Sequence, residues 1–211
     1  MTSNGIEPWY ADLAASTNAD LLAFPMHARR AYGDFLAQVY YWVSHSTRLL
    51  AVAASRVGVE HEVMHRRFLD HAREENSHHL YAKRDLEHLD LRVEDFSELA
   101  ATAALYQTQY YLVEHVHPAA LFGYILMLEG LSVLSGPEGC ARASAAFGER
   151  AATFLKMHSD ADEDHLPKAF AAVAALPAPL QAAVRTNCRN SFDLFRAVLR
   201  DIVARSAHEA A

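Results

Sequence analysis

Glutamate, aspartate and histidine recur in this sequence at spacings that bring their side chains together. In HAREENSHH, Glu75 and His78 stand three residues apart. On a helix of 3.6 residues per turn they share a face, as a Glu-x-x-His metal pair must. In HSDADEDH, His158, Asp162 and His165 follow at intervals of four and three, one stripe within about 60° on a helical wheel. Glu129 is the ionisable residue of the apolar run FGYILMLEGLSVL, where a carboxylate is costly to bury unless paired or coordinated. These residues make three carboxylates and three imidazoles. Such mixed ligation suits iron or manganese. Three carboxylates offset most of the charge on two ferrous ions, and six ligand residues leave positions open for dioxygen and substrate. Paired metals can share a carboxylate and deliver electrons to dioxygen two at a time.

Each group also has a plainer reading. Glu75 and His78 could belong to a solvated face of a charged helix, and the His158 stripe to the acidic surface run DADED. Glu129 could pair with an arginine such as Arg48. His71 lies on the stripe of Glu75 and His78 and is placed to hydrogen-bond a ligand.

Scarce Gly and Pro, with abundant Ala, Leu, Glu and Arg between them, describe a helical chain. A short helical piece precedes Pro25. The punctuation then predicts helices over about Tyr32–Val57, Glu60–Leu89, Val93–His115 and Pro118–Leu134, the last closed by Ser135-Gly136-Pro137. A short segment, Glu138–Phe147, leads to helices over about Gly148–Leu176 and Leu180–Arg205. Pro167 should kink the first of these two. No alternating strand pattern occurs. The expectation is an all-α chain forming a single domain of about six to seven helices.

Apolar residues make up 52% of 211, ample for a packed core. The net charge of -7, without a Lys/Arg stripe, argues against nucleic acid as a partner. The strongly apolar stretch Ala119–Leu128 is short of the roughly 20 residues a membrane span needs. The opening MTSNGIEPWYADLAAS lacks the pattern of a secretory leader. Cys140 and Cys188 form no pairing framework, so a cytoplasmic location is expected.

The stretches YYWVSHSTRLLAVAASRV, EENSHHLYAKRDLEHL, HPAALFGYILMLEG and FLKMHSDADEDHLPKAF resemble the haem-oxygenase-like di-iron oxidases and oxygenases. This family shares the haem-oxygenase fold with the thiaminase-like and pyrroloquinoline-quinone synthase proteins. The resemblance spans nearly the whole chain. It implies a haem-oxygenase-like helical bundle with metal ligands Glu75, His78, Glu129, His158, Asp162 and His165, Glu74 being the fallback for Glu75. It further implies two Fe2+ per chain and dioxygen as co-substrate. The implied reactions on a small-molecule substrate are N-oxygenation, desaturation or oxidative carbon–carbon cleavage. An external electron donor and a homodimer are compatible with it. The competing functions are a metal-free enzyme of the thiaminase-like or quinone-synthase type and a non-enzymatic helical binding protein. Thiaminase-like members rely on a cysteine nucleophile, for which neither cysteine here stands in an activating context.

A substrate pocket is expected between the core helices beside the metals. Its candidates are Tyr41, Val43, His45 and Arg48, then Tyr110, Tyr111 and His115, then Phe122, Tyr124 and Ile125. His45, in the middle of the first helix, is weighed against a core histidine bonded to a neighbour. The tyrosines are weighed against plain packing residues.

Overall fold

The computed structural model describes residues 8–161 and 165–209. Among them every regular element is helical. The α-helices are α1 (Pro8–Ala23), α2 (Arg29–Val43), α3 (Ser46–Arg56), α4 (Glu62–Glu74), α5 (His79–His88), α6 (Ala100–His115), α7 (Leu121–Phe147), α8 (Thr153–Ala161), α9 (His165–Ala174) and α10 (Ala178–Glu209). Short 3-10 turns precede α4, α7 and α8, and another, Val93–Asp95, lies ahead of α6. Counting the interrupted pairs α2/α3 and α4/α5 once each leaves eight helices among the described residues. That is more than the six to seven expected, because the segment expected as one helix over Gly148–Leu176 contains two, α8 and α9.

The breaks within α2/α3 and α4/α5 matter for the site. The helix expected over Tyr32–Val57 turns at Ser44-His45. The Ser44 hydroxyl donates to the Tyr40 carbonyl at 2.6 Å, a back-bond that competes with the helix ladder and bends it. His45 therefore stands at the start of α3, not in mid-helix. The helix expected over Glu60–Leu89 is divided at Glu75–His78, where Ser77 takes a left-handed φ of 69°. Asn and Ser favour turns over helix interiors, and two of them adjoin here. Glu75 caps the end of α4 and His78 the start of α5. A tight turn, not one helical face, brings the pair together.

The remaining boundaries shift for local reasons. Val93–Asp95 closes as a separate turn, with the Asp95 carboxylate accepting from the Arg92 amide at 2.8 Å, so α6 begins only at Ala100. Helix α7 runs on through Ser135-Gly136-Pro137 instead of stopping there. Pro137 forfeits one backbone bond, while Gly136 admits α8, whose Ser159 would lie 3.1 Å from a β-carbon at that position. Pro167 is the third residue of α9, in the first turn where the missing N–H has no helical acceptor.

Helix α7 is the centre of the bundle, packed by α1, α8, α9 and α10. Gly123 permits the approach of α10: an added β-carbon would sit 2.4 Å from the Val184 carbonyl oxygen and 2.6 Å from the Cys188 nitrogen. Buried Asn187 of α10 donates to Gln109 Oε1 in α6 and to the Ala120 carbonyl, each at 2.8 Å. Buried Gln38 of α2 accepts from Thr102 at 2.8 Å and from the Leu99 amide at 3.0 Å. These satisfied polar clamps set the register of helices that apolar packing alone would leave free to slide. Contrary to the expectation from Ala119–Leu128, Pro118–Phe147 is long and apolar enough to span a bilayer, but 78% of its apolar window is buried within the bundle. It reads as a core helix.

Candidate metal centre

At the end of α4, the start of α5, the middle of α7 and the body of α8, polar groups converge on one buried point. Glu129 is 6% exposed and His71 5%, so neither charge is relieved by solvent. His71 Nε2 lies 3.2 Å from Glu129 Oε1 and 3.7 Å from Glu75 Oε1. On the far side of Glu75, its Oε1 is 3.4 Å from His78 Nδ1. That nitrogen is buried and makes no hydrogen bond of its own. The His78 and His158 rings meet edge to face with centroids 5.0 Å apart. One donor atom from each of Glu75, His78 and His158 falls within 4.8 Å of the others.

The tautomer of His158 follows from its bonding. Its Nδ1 is 2.9 Å from the Phe154 carbonyl oxygen, which only accepts, so Nδ1 carries the proton and Nε2 keeps a lone pair. Burial lowers the affinity of this ring for a second proton, against the pull of Glu75. A neutral imidazole with a free Nε2 is what a metal requires. For Glu75, burial would raise the carboxyl, but the imidazoles of His71 and His78 hold it well below the usual carboxylate range. Burial likewise would lower His71, yet its bonds to Glu129 and Glu75 carry it up to about 9. In the metal-free protein a protonated His71 thus sits between two carboxylates.

The helices that carry these groups are tied by Asp85 of α5, which is fully buried. Its carboxylate accepts from the Phe154 amide at 2.8 Å and from the Thr153 hydroxyl. This caps the first turn of α8 from outside the helix and stabilises its exposed N–H groups. Burial raises the Asp85 carboxyl, offset by these bonds. One residue therefore docks the helix of His158 onto the helix that follows His78.

Of the expected ligands, the structure brings together Glu75, His78 and His158, with Glu129 joined to Glu75 through His71. Asp162 lies outside the described residues, as does the side chain of His165, whose backbone opens α9. Glu74 faces away, 3.5 Å from Arg67. Arg48 is exposed and bonds the Ser44 carbonyl, so the buried partner of Glu129 is a histidine and not that arginine.

A cavity of about 120 Å³ adjoins the cluster, with His71, Glu75, Glu129 and His158 in its wall and mostly apolar side chains around the rest. Ile125 lines it, as do Tyr124 and Val43. Tyr41, His45, Tyr111 and Phe122 are placed elsewhere. Tyr41 donates to the Phe96 carbonyl at 2.9 Å. His45 stacks on Tyr106 at 3.9 Å and bonds the Tyr110 hydroxyl at 3.0 Å. Tyr111 is 63% exposed, and Phe122 stacks on Phe68 at 5.0 Å. Phe35, Val39 and Trp42 of α2 instead form a wall, and their spacing of four and three was a readable stripe. Leu49 and Leu50 of α3 and Leu21 of α1 complete it, positions that only the folding of those helices onto α7 could reveal.

Mixed carboxylate and imidazole donors, an unbonded buried Nδ1 and a free Nε2 fit a redox-active first-row metal. Comparison with known proteins points the same way. Three solved structures are similar in fold. A domain of unknown function with a heme oxygenase-like fold from Shewanella denitrificans aligns with TM-score 0.84 at 17% identity, covering 95% of this chain and 93% of that one. A TenA homolog from Pseudomonas syringae aligns at 0.77 and 16%, covering 93% of each. A CADD-like protein of unknown function from Nostoc punctiforme aligns at 0.67 and 14%, covering 96% and 97%. No curated protein matches the sequence. Residues 33–196 match the family described as iron-containing redox enzyme. The chain has a haem-oxygenase-like fold and belongs to that family of iron-containing redox enzymes.

Proposed function

We propose that this protein is a non-haem di-iron oxidoreductase that uses dioxygen to oxidise a small, largely apolar organic molecule. The observation that carries the reading is the convergence of Glu75, His78 and His158 donor atoms within 4.8 Å, next to buried Glu129, at an apolar cavity. Glu75, His78, Glu129 and His158 would hold the metals, completed by Asp162 and His165. Iron held there would supply electrons to dioxygen in pairs.

The remaining roles belong to the chain itself. Glu75 and Glu129 bring the negative charge that offsets the metals. His158 presents Nε2 because Phe154 holds its Nδ1 proton. His71 holds a proton at Nε2 between the Glu75 and Glu129 carboxylates of the metal-free site. Phe35, Val39, Trp42 and Ile125 exclude water from the space beside them. The thiaminase-like alternative needs an activated cysteine. Cys188 is fully buried with its thiol pushed up to about 12, and neither it nor Cys140 lines the cavity.

The test is an anaerobic ferrous titration of the purified protein with an oxygen electrode. About two irons per chain are expected, followed by oxygen consumption when air and reductant are admitted. His158→Ala and Asp162→Ala should each lose at least one iron, and His45→Ala should keep both. Zero uptake, or uptake unchanged in Asp162→Ala but lost in His45→Ala, would sink the assignment.

A further inference from the structure

Tyr124 projects from α7 into the wall of the cavity and is 3% exposed. Its hydroxyl is buried and has no hydrogen-bond partner among the described residues. Other buried tyrosines are satisfied: Tyr10 donates to the Leu126 carbonyl at 2.8 Å and Tyr32 to the Ala151 carbonyl at 2.7 Å. A phenylalanine would fill the same space without a stranded polar atom, so the hydroxyl costs folding free energy that nothing internal returns. Burial, with the charge of Glu75 beside it, holds the phenol well above its ordinary range, and it stays a donor. Arg142 and His71, the cationic groups in the wall, are already engaged. Arg142 donates to the carbonyls of Leu21, Leu22 and Phe24, and His71 faces Glu129 and Glu75.

We infer that the Tyr124 hydroxyl is the polar anchor of a substrate site, donating to an acceptor atom on a small, uncharged, otherwise apolar molecule. The acceptor class is a carbonyl, an ether or an unprotonated amine. In the metal-free site an anion would meet the Glu75 and Glu129 carboxylates with no uncommitted cation among the described wall residues, and a protonated amine has no lone pair for the phenol. The molecule's apolar body would lie against Trp42, Leu49 and Ile125. This inference rests on the proposed function only for its reading of the cavity as the substrate site; it does not depend on iron.

The probes are cyclohexanone and methylenecyclohexane, the same ring with the exocyclic oxygen replaced by CH2. Their binding to the full chain, before and after anaerobic ferrous loading, is followed by ligand-observed NMR. Tyr124→Phe should weaken cyclohexanone about fivefold, leave methylenecyclohexane unchanged or tighter, and leave the melting temperature unchanged or higher. Ile125→Trp, which fills the cavity, should abolish binding of both. Absence of binding by either probe, an equal change in both, or binding that survives Ile125→Trp would overturn the inference. So would a lower melting temperature in Tyr124→Phe, which would mean that the hydroxyl has an internal partner. Because the probe contrast is read without turnover, failure to take up iron would remove the redox reading and leave this result standing.

Discussion

His71 carries the site's electrostatics in the metal-free state, although its sequence context marks it only as a neighbour of the ligands. Its pKa is raised from 6.5 to about 9. The stabilisation it provides is therefore fully present below about pH 6.5 and lost as pH rises through about 9. Metal-free protein should lose about 3 kcal/mol across that window, read from urea melts at a series of pH values. Were Glu129 buried without a partner, its removal would stabilise the metal-free chain. The histidine partner at 3.2 Å reverses that expectation. Glu129→Ala should cost about 3 kcal/mol at pH 6, because it breaks a buried pair, and should flatten the pH dependence. A pH profile in Glu129→Ala as steep as in the parent would assign the titration to another group.

At the scale of elements, the site depends on how two broken helices are docked. The turn at Glu75–His78 points two donors at one place only if α5 and α8 keep their mutual position, and Asp85 holds them there. Asp85→Ala strands the Phe154 amide and the Thr153 hydroxyl, and should cost about 1–3 kcal/mol. Ferrous affinity should fall with it, since His158 begins only four residues beyond the capped amide. Asp85→Asn, which keeps one acceptor oxygen, should recover part of both. Calorimetric iron binding alongside thermal melts would check this; unchanged affinity in Asp85→Ala would confine the residue to a stabilising role.

For the whole molecule, the bundle buries ionisable groups that metal would relieve. Ligand binding to the native state stabilises it in proportion to the logarithm of free ligand over Kd. Ferrous iron at about a hundred times Kd should contribute about 2.7 kcal/mol per site, a rise in Tm of roughly 5–10 °C for a chain of this size. A chelator should reverse it. A scanning-calorimetry trace that ignores both iron and chelator would leave the cluster as a buried ion network without metal.

The helical class of the fold was legible in the sequence, as were the carboxylates and imidazoles that converge at Glu75, His78, Glu129 and His158, because local spacing and composition express them. Glu129 could be picked out since one carboxylate in an apolar run violates the pattern around it. The resemblance to a di-iron family rested on the same motifs, and the family match over residues 33–196 agrees with its iron and redox character. The tertiary structure decided what periodicity does not encode. Ser44 and Ser77 break helices through a side-chain bond and a left-handed φ that leave the apolar repeat intact. Pro137 and Gly136 sit inside α7 because α8 crosses there, a long-range contact invisible to local rules. Of the ten pocket candidates, Val43, Tyr124 and Ile125 reached the cavity, since which face of a long apolar helix meets empty space depends on its neighbours. His71 became the partner of Glu129 for the same reason: residues 58 positions apart meet only when α4 and α7 are packed.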